Sequence, residues 1–411
     1  MAASRPAVSL DPRPRDPAGR LRRAALAALI AAAATLYAVV LVQAAGSHQD
    51  LTTYLGAAGD LLQGRPLYAA FLHHPFPDPT LRPAYIYPPV FALLAVPFAL
   101  LPGGVQAWAW IVVMQIAVAL AFVAVMRALR PAWPAAAVAV AATLTFYPLW
   151  VDSVQGQANA LVLALTTVGV VAVARGRETG GLALGAATAL KLTPVLALVW
   201  LGFERRLRAA AFLAGGVAIL SGIGALARPA DSLTYVRDVV PQLARGSAFY
   251  SNQSLSGVMS RLFTANPYTD PWVRLPLEPL IALAFGIGLV GYWAITLRGH
   301  DPLTRALTFL PLLPLLSSVT WEHHLIVILP LCWLVIVELA RRGWPRPQTA
   351  VFVALLGAVD LVARWRPGPG PLAPGFRAAQ TGDPLVLLCA NSLFLATLAF
   401  LLLSPWLLRA R

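Results

Sequence analysis

RLRRAALAALIAAAATLYAVVLVQAAGSHQDLTTYLGAAGDLLQGRPLY, residues 20–68, decides the fold. Arg13, Arg15, Arg20, Arg22 and Arg23 lead into an apolar run from Ala24 to Ala45, about as long as a bilayer's hydrocarbon core is thick. The run is too long for the apolar region of a signal peptide, so it reads as an uncleaved anchor with a cytoplasmic N-terminus. Beyond it the pattern changes. Asp50 precedes Leu51, Tyr54, Leu55, Ala58, Leu61 and Leu62 at helical spacing, and Gly64 and Pro66 close the segment. This predicts an amphipathic helix lying on the outer membrane face.

Similar apolar runs recur outward from this one. They lie near 86–102, 105–126, 134–151, 156–174, 180–203, 209–227, 277–297, 303–318, 323–340, 347–363 and 384–408, making twelve with the first. The chain has 411 residues, 59% of them apolar and 12% charged; a soluble domain is roughly half apolar and a quarter charged. A soluble enzyme is excluded, and the expected fold is an all-α polytopic membrane protein. The domain reading is a basic disordered tail at 1–23, one transmembrane domain at 24–408, and a cytoplasmic end at 409–411. The net charge of +14 comes from 31 basic against 17 acidic residues. The basic residues cluster between apolar runs, so the excess reports topology rather than a nucleic-acid partner. Cys332 and Cys389 both fall inside apolar runs, which excludes a disulfide framework and a thiolate metal site.

Polar stretches at 46–85, 228–276 and 364–383 come out extracytoplasmic if the N-terminus is inside. Arg298, Arg305, Arg341, Arg342, Arg346, Arg409 and Arg411 then lie inside, as the positive-inside rule asks. If every run crosses, Arg127, Arg130, Arg175 and Arg177 lie outside and break the rule. They return inside if 86–102 dips without crossing and 180–203 is a broken pair, and that is the arrangement expected here. Both runs carry proline, in YIYPPV (85–90) and KLTP (191–194), and irregular backbone persists in a membrane only where it lines protein or a wet cavity.

Polar residues in such a chain are few, and their clusters mark candidate chemistry. Asp50 has two readings: a helix cap, or a general base at the water boundary of a membrane cavity. Asp60 reads as part of a solvated helix face. Asp152, Gln155, Gln157 and Asn159 cluster in DSVQGQAN. Lys191 lies about halfway along its run, either snorkelling or holding an anion. Glu322, His323 and His324 lie in SSVTWEHH, where adjacent histidines do not make the i, i+4 pair of a zinc site. Ser251, Asn252, Gln253, Ser254 and Arg261 lie in SNQSLSGVMSR, whose simplest reading is a hydrogen-bonded loop. No phosphate-binding glycine loop follows a strand. A lipid-carried substrate fits better than a nucleotide: an apolar groove would take a polyprenyl tail while Lys191, Arg261 or a histidine holds its phosphate.

The order Asp-Leu-x-x-Tyr (50–54), Gly-x-x-x-Tyr (64–68), YPP (87–89), GQxN (156–159), KLTP (191–194), NQS (252–254) and W-x-HH (321–324) resembles glycosyltransferase family 87 over about residues 20–405. These are membrane mannosyltransferases of the GT-C architecture. The resemblance implies a polyprenyl-phosphate sugar donor, most simply mannose, and a glycolipid or lipid-linked glycan acceptor in the bilayer. It makes Asp50 the expected catalytic base, acting with inversion on the extracytoplasmic face. It makes His323 or His324 a donor-phosphate or acceptor contact, and it places Lys191, Arg261, Asn159, Gln157, Tyr54, Tyr87 and Asn252 among substrate-binding positions. No cofactor and no metal are expected. The loop LHHPFPDPTLRPA (72–84) departs from the pattern. An arabinosyltransferase using polyprenyl-phosphate-arabinose, or a transporter or flippase, stands as the alternative.

Overall fold

The protein is described from a computed structural model covering residues 17–73, 84–362, 388 and 390–409. The third polar stretch, most of the 72–84 loop, Cys389 and the first sixteen residues lie outside that range. The described residues are helical, with no strand among them. The main helices are α1 (Pro17–Gly46), α2 (Gln49–Leu62), α3 (Pro89–Ala99), α4 (Gly103–Leu129), α5 (Trp133–Thr145), α6 (Tyr147–Gln155), α7 (Asn159–Ala174), α8 (Gly180–Leu190), α9 (Ala197–Phe203), α10 (Leu207–Ala227), α11 (Leu255–Phe263), α12 (Glu278–Thr296), α13 (Pro302–Phe309), α14 (Leu329–Arg341), α15 (Arg346–Gly357) and α16 (Ser392–Leu407).

Five helical stretches are long and apolar enough to cross a membrane: 19–46, 103–129, 207–227, 278–296 and 322–341. The bent pair α5–α6, with a 49° break, makes a sixth. The twelve apolar runs of the sequence therefore do not become twelve crossing-length helices. Proline is one cause: the 303–318 run breaks around Pro311 between α13 and the short helix Leu312–Leu316, because proline withholds a backbone donor and crowds the preceding turn. Burial sorts the spans. The 322–341 stretch is 78% buried and forms the central post, whereas α1 at 17% and α12 at 11% stand at the periphery, where their apolar surfaces suit lipid.

One end of the bundle collects arginines. Arg175 donates to the carbonyl of Ala128, and Arg341 to that of Leu129. Arg206 pairs with Glu178 at 2.8 Å and Arg305 with Glu204 at 2.6 Å. Arg342 donates to the carbonyls of Leu407 and Arg409. The ends of α4, α7, α14 and α16 and the start of α13 thus meet at one face, and the basic groups offset the partial negative charge of the helix C-termini there.

The Arg206–Glu178 contact has a consequence for the 180–203 run, because these two residues flank it. The run starts and finishes at the same end. Helix α8 goes in, the backbone becomes extended at Lys191 (φ −152°, ψ 123°), and a 3-10 turn at Thr193–Leu196 followed by α9 comes back. Lys191 is the tip of this re-entrant hairpin. Helix α10 then runs parallel to α8 at glycine distance: a Cβ at Gly181 would lie 2.1 Å from the carbonyl oxygen of Ala209, and one at Gly185 2.3 Å from that of Leu213. Small residues permit that backbone approach, which supplies contact where no hydrophobic force separates helix from lipid.

Helix α3 does not traverse the bundle either. Val90, at its start, lies under Gly224 near the far end of α10, and Phe98, near its finish, meets Trp110 in the second turn of α4 with ring centres 5.0 Å apart. Both ends of α3 therefore stay at the end opposite the arginines. The two exceptional runs behave as the arginine pattern required.

The amphipathic helix predicted at 50–62 is α2, which buries Leu51, Tyr54, Ala57 and Ala58 and ends before Gly64 at φ +71°. The helix cap reading of Asp50 is corrected: His48 occupies the cap position without a side-chain cap bond, and Asp50 stands inside the first turn. The far end of α2 is clamped by the second polar stretch. Arg228 donates to the carbonyl of Leu61 at 3.4 Å and pairs with Asp231, which accepts the amide of Leu67 at 3.0 Å.

Candidate active site

The site grows from the turn between α6 and α7. Gly156 ends α6 at φ +70°, a left-handed conformation that costs other residues about 1–2 kcal/mol. It also faces α2: an added Cβ would lie 2.7 Å from the Leu51 Cβ and 3.1 Å from the His48 Cβ. Glycine is thus required twice, for the turn and for seating the first turn of α2 on it. The seat brings Asp50 to the amide side chain of Gln157, the next residue.

Gln157 Nε2 donates to Asp50 Oδ2 at 2.6 Å. Its Oε1 accepts from the hydroxyls of Tyr54 at 2.8 Å and Tyr87 at 3.1 Å. With both tyrosine donors on its oxygen, the amide has its nitrogen left for the carboxylate. Asn159 repeats the device two residues on. Its Nδ2 donates to Asp152 Oδ1 at 2.8 Å and its Oδ1 accepts from Lys191 Nζ. Lys191 Nζ also stands 5.8 Å from the centre of the Tyr87 ring, a cation–π distance. Burial pushes the Asp50 carboxyl up to about 6, against the opposing pull of the Gln157 hydrogen bond and the Lys191 charge.

The 3-10 segment Glu322–Ile328 brings in the histidines. His324 accepts the Trp321 amide on Nδ1 at 3.2 Å, which leaves Nε2 as its donor. It lines, with Asn159, Thr166, Lys191, Thr193 and Thr320, a cavity of about 30 Å³ otherwise walled by apolar side chains. His323 is buried beside it with Nε2 lacking a hydrogen-bond partner, and the two rings are 4.6 Å apart at 74°. The adjacent rings meet edge to face, and of the two only His324 lines the cavity. Glu322 turns away to accept the Tyr147 hydroxyl at 3.1 Å.

Asp50, Gln157, Tyr54, Tyr87, Asn159, Lys191 and His324 come together. Arg261 and Asn252 do not. Arg261 is fully buried, its donors directed at the carbonyls of Ala248, Phe249 and Asn252 and at Asn391 Oδ1, so in place of the expected phosphate contact it braces its own loop and ties that loop to the start of α16. Asn252 accepts the amide of Thr320 at 2.8 Å and donates to the carbonyls of Ser247 and Ser318. It ties that loop to the strand of backbone leading into Trp321 and His324, a supporting rather than a lining position. Asp60 forms an exposed pair with Arg65 at 2.6 Å, as its solvated reading expected. Among the described residues no group of three or more His, Cys, Asp or Glu gathers.

The model of glycosyltransferase family 87 matches residues 85–318, more than half of the chain. The chain belongs to glycosyltransferase family 87. It is a glycosyltransferase, which displaces the transporter and flippase alternative. The matched segment includes Tyr87, Asp152, Gln157, Asn159 and Lys191, while Asp50, His323 and His324 flank it. A polyprenol-phosphate-mannose-dependent alpha-(1-2)-phosphatidylinositol mannoside mannosyltransferase of Mycobacterium tuberculosis is 28% identical over 340 residues, covering 77% of this chain and 76% of that protein. A polyprenol-phosphate-mannose-dependent alpha-(1-2)-phosphatidylinositol pentamannoside mannosyltransferase of Mycolicibacterium smegmatis is 29% identical over 341 residues, covering 80% of each. The crystal structure of ArnT from Cupriavidus metallidurans bound to undecaprenyl phosphate aligns with a TM-score of 0.42 at 15% identity, over 92% of this chain and 77% of that one.

Proposed function

We propose that this family 87 enzyme transfers mannose from a polyprenyl-phosphate donor to a hydroxyl of a lipid-linked glycan acceptor at the extracytoplasmic face, with inversion and with Asp50 as general base. The observation that carries the reading is the pair of oriented amides, Gln157 on the Asp50 carboxylate and Asn159 on the Lys191 ammonium. A base and a cation held side by side are what displacement at an anomeric carbon by an alcohol needs. Asp50 takes the proton of the attacking hydroxyl. Lys191 and the Nε2–H of His324 stabilise the polyprenyl phosphate that leaves, so the step is written without a metal or cofactor. The printed names of the mycobacterial relatives supply mannose and the lipid phosphate. The arginines support the choice of face: under the positive-inside rule their end is cytoplasmic, with the Asp50 end outside.

Purified protein in liposomes with polyprenyl-phosphate-mannose and a glycolipid extract as acceptor tests the assignment. Asp50→Asn and Asp50→Ala are each expected to lower turnover by at least about a hundredfold, the scale of a general base's contribution. Turnover close to that of the parent in both variants would sink the base assignment.

A further inference from the structure

Asp152 has no place in the mechanism above, yet its carboxylate is only 1% exposed. No ion pair reaches it directly among the described residues. A buried carboxylate is costly unless its charge is compensated, and here Asn159 Nδ2 donates to it at 2.8 Å while the backbone amides of Asn159 and Ala160 favour its charge electrostatically. Those amides are the first of α7, so the positive end of that helix balances the charge.

The remaining contact of Asn159 is the informative one. An asparagine between a carboxylate and an ammonium satisfies both in one orientation only: its NH₂ must face the carboxylate and its oxygen the ammonium. The reverse sets oxygen against oxygen and N–H against N–H. Asp152, an acceptor toward the first amides of α7, therefore selects the orientation of Asn159, and Asn159 in turn presents Oδ1 to Lys191 Nζ. Lys191 needs such a guide because it stands at the extended break of a re-entrant hairpin, where no helix turn fixes its direction. The other groups facing it are Asp50 from α2, Tyr87 from the loop before α3, and His323 and His324 from the 3-10 segment; none of them donates to or accepts from its nitrogen within hydrogen-bond distance.

We propose that Asp152 is a positioning residue for the leaving-group phosphate: through the fixed amide of Asn159 it aims Lys191 at the donor. The proposal rests on the reading of Lys191 as the phosphate contact. It distinguishes Asp152 from Asp50, the other carboxylate of the site, which meets Gln157 instead.

The test is a double-mutant cycle read on the kcat/KM for polyprenyl-phosphate-mannose and on inhibition by farnesyl phosphate, a short soluble prenyl phosphate. In Asp152→Asn the amide oxygen stays toward the positive end of α7, and its NH₂ then turns the Asn159 oxygen away from Lys191. A fall of about tenfold in both readouts is expected, the usual cost of losing an outer-shell partner. In an Asn159→Ala background the same substitution is expected to change either readout by less than twofold, since the path is already cut. A structural cap would instead produce effects that multiply. If Asp152→Asn does not fold, the Asn159→Ala and Lys191→Met pair reads the lower half of the path, and independent effects there overturn the proposal. Inhibition by farnesyl phosphate unchanged in Lys191→Met would refute the phosphate reading itself. Weakened inhibition in that variant, together with multiplicative effects of Asp152→Asn, would refute the relay alone.

Discussion

Gln157 donates to Asp50, the proposed base, and the pH dependence of the enzyme should report that bond. With the Asp50 carboxyl pushed up to about 6 by burial, a base that acts as carboxylate is ionised in about nine molecules of ten at pH 7. Lowering the pH through 6 protonates it, so kcat/KM should fall on the acid side, approaching tenfold per pH unit below that value. Gln157→Leu removes the bond that favours the charged form. The acid limb should then move to higher pH and turnover at pH 7 should drop. A pH–rate profile that is flat between 5 and 7 in the parent, or unmoved in Gln157→Leu, would contradict this account. The cap reading of Asp50 fails because a carboxylate directly before a hydrophobic pattern fits the cap position or the first turn equally well; the helix starts one residue earlier, at Gln49, and the partner that Asp50 meets, Gln157, is more than a hundred residues away in sequence.

Two turns, not whole helices, place the chemistry. The α6–α7 turn carries Gly156, Gln157 and Asn159 within four residues, and the hairpin tip between α8 and α9 carries Lys191. Gly156→Ala tests the first. The added methyl meets the Leu51 Cβ at 2.7 Å and the backbone is left-handed, so α2 must lift from its seat as well as absorb strain of about 1–2 kcal/mol. Activity is therefore expected to fall by more than the stability loss accounts for, because Asp50 moves away from Gln157. Comparing turnover with thermal unfolding in detergent separates the two, and a variant with parental turnover would show that the seat is not needed. The motifs GQxN and KLTP were legible as polar islands in apolar sequence. Their roles were not, because a turn's neighbours come from other elements: Tyr54 from α2, Tyr87 from the loop before α3, and His324 from the 3-10 segment.

At the scale of the molecule the arginine end and the site end are opposite, and the topology has a direct check. Arg177, at the arginine end, and Leu62, exposed at the end of α2, are suited to single cysteine substitution. In intact cells a membrane-impermeant maleimide is expected to label Leu62→Cys and to leave Arg177→Cys unlabelled until the membrane is opened. The reverse pattern would place the chemistry on the cytoplasmic side. The arginines at 127, 130, 175 and 177 favoured an arrangement in which two runs do not cross, and the contacts of Arg175 with Ala128 and of Arg206 with Glu178 show how the chain arranges them. Counting crossings was harder, since hydropathy measures the length of an apolar run and is blind to a bend inside it, as at Lys191 and around Pro311.

The amino-acid sequence by itself determined that this chain is a helical membrane protein, which of its runs are exceptional, and which scarce polar residues merit attention, because bilayer thickness and the cost of buried charge act on composition and order along the chain. Which of those residues meet was decided only by the tertiary structure. Asp50, Gln157, Asn159 and Lys191 converge, whereas Arg261 becomes a brace, because hydrogen bonds reach about 3 Å and that distance is set by how helices pack rather than by how far apart residues stand in sequence.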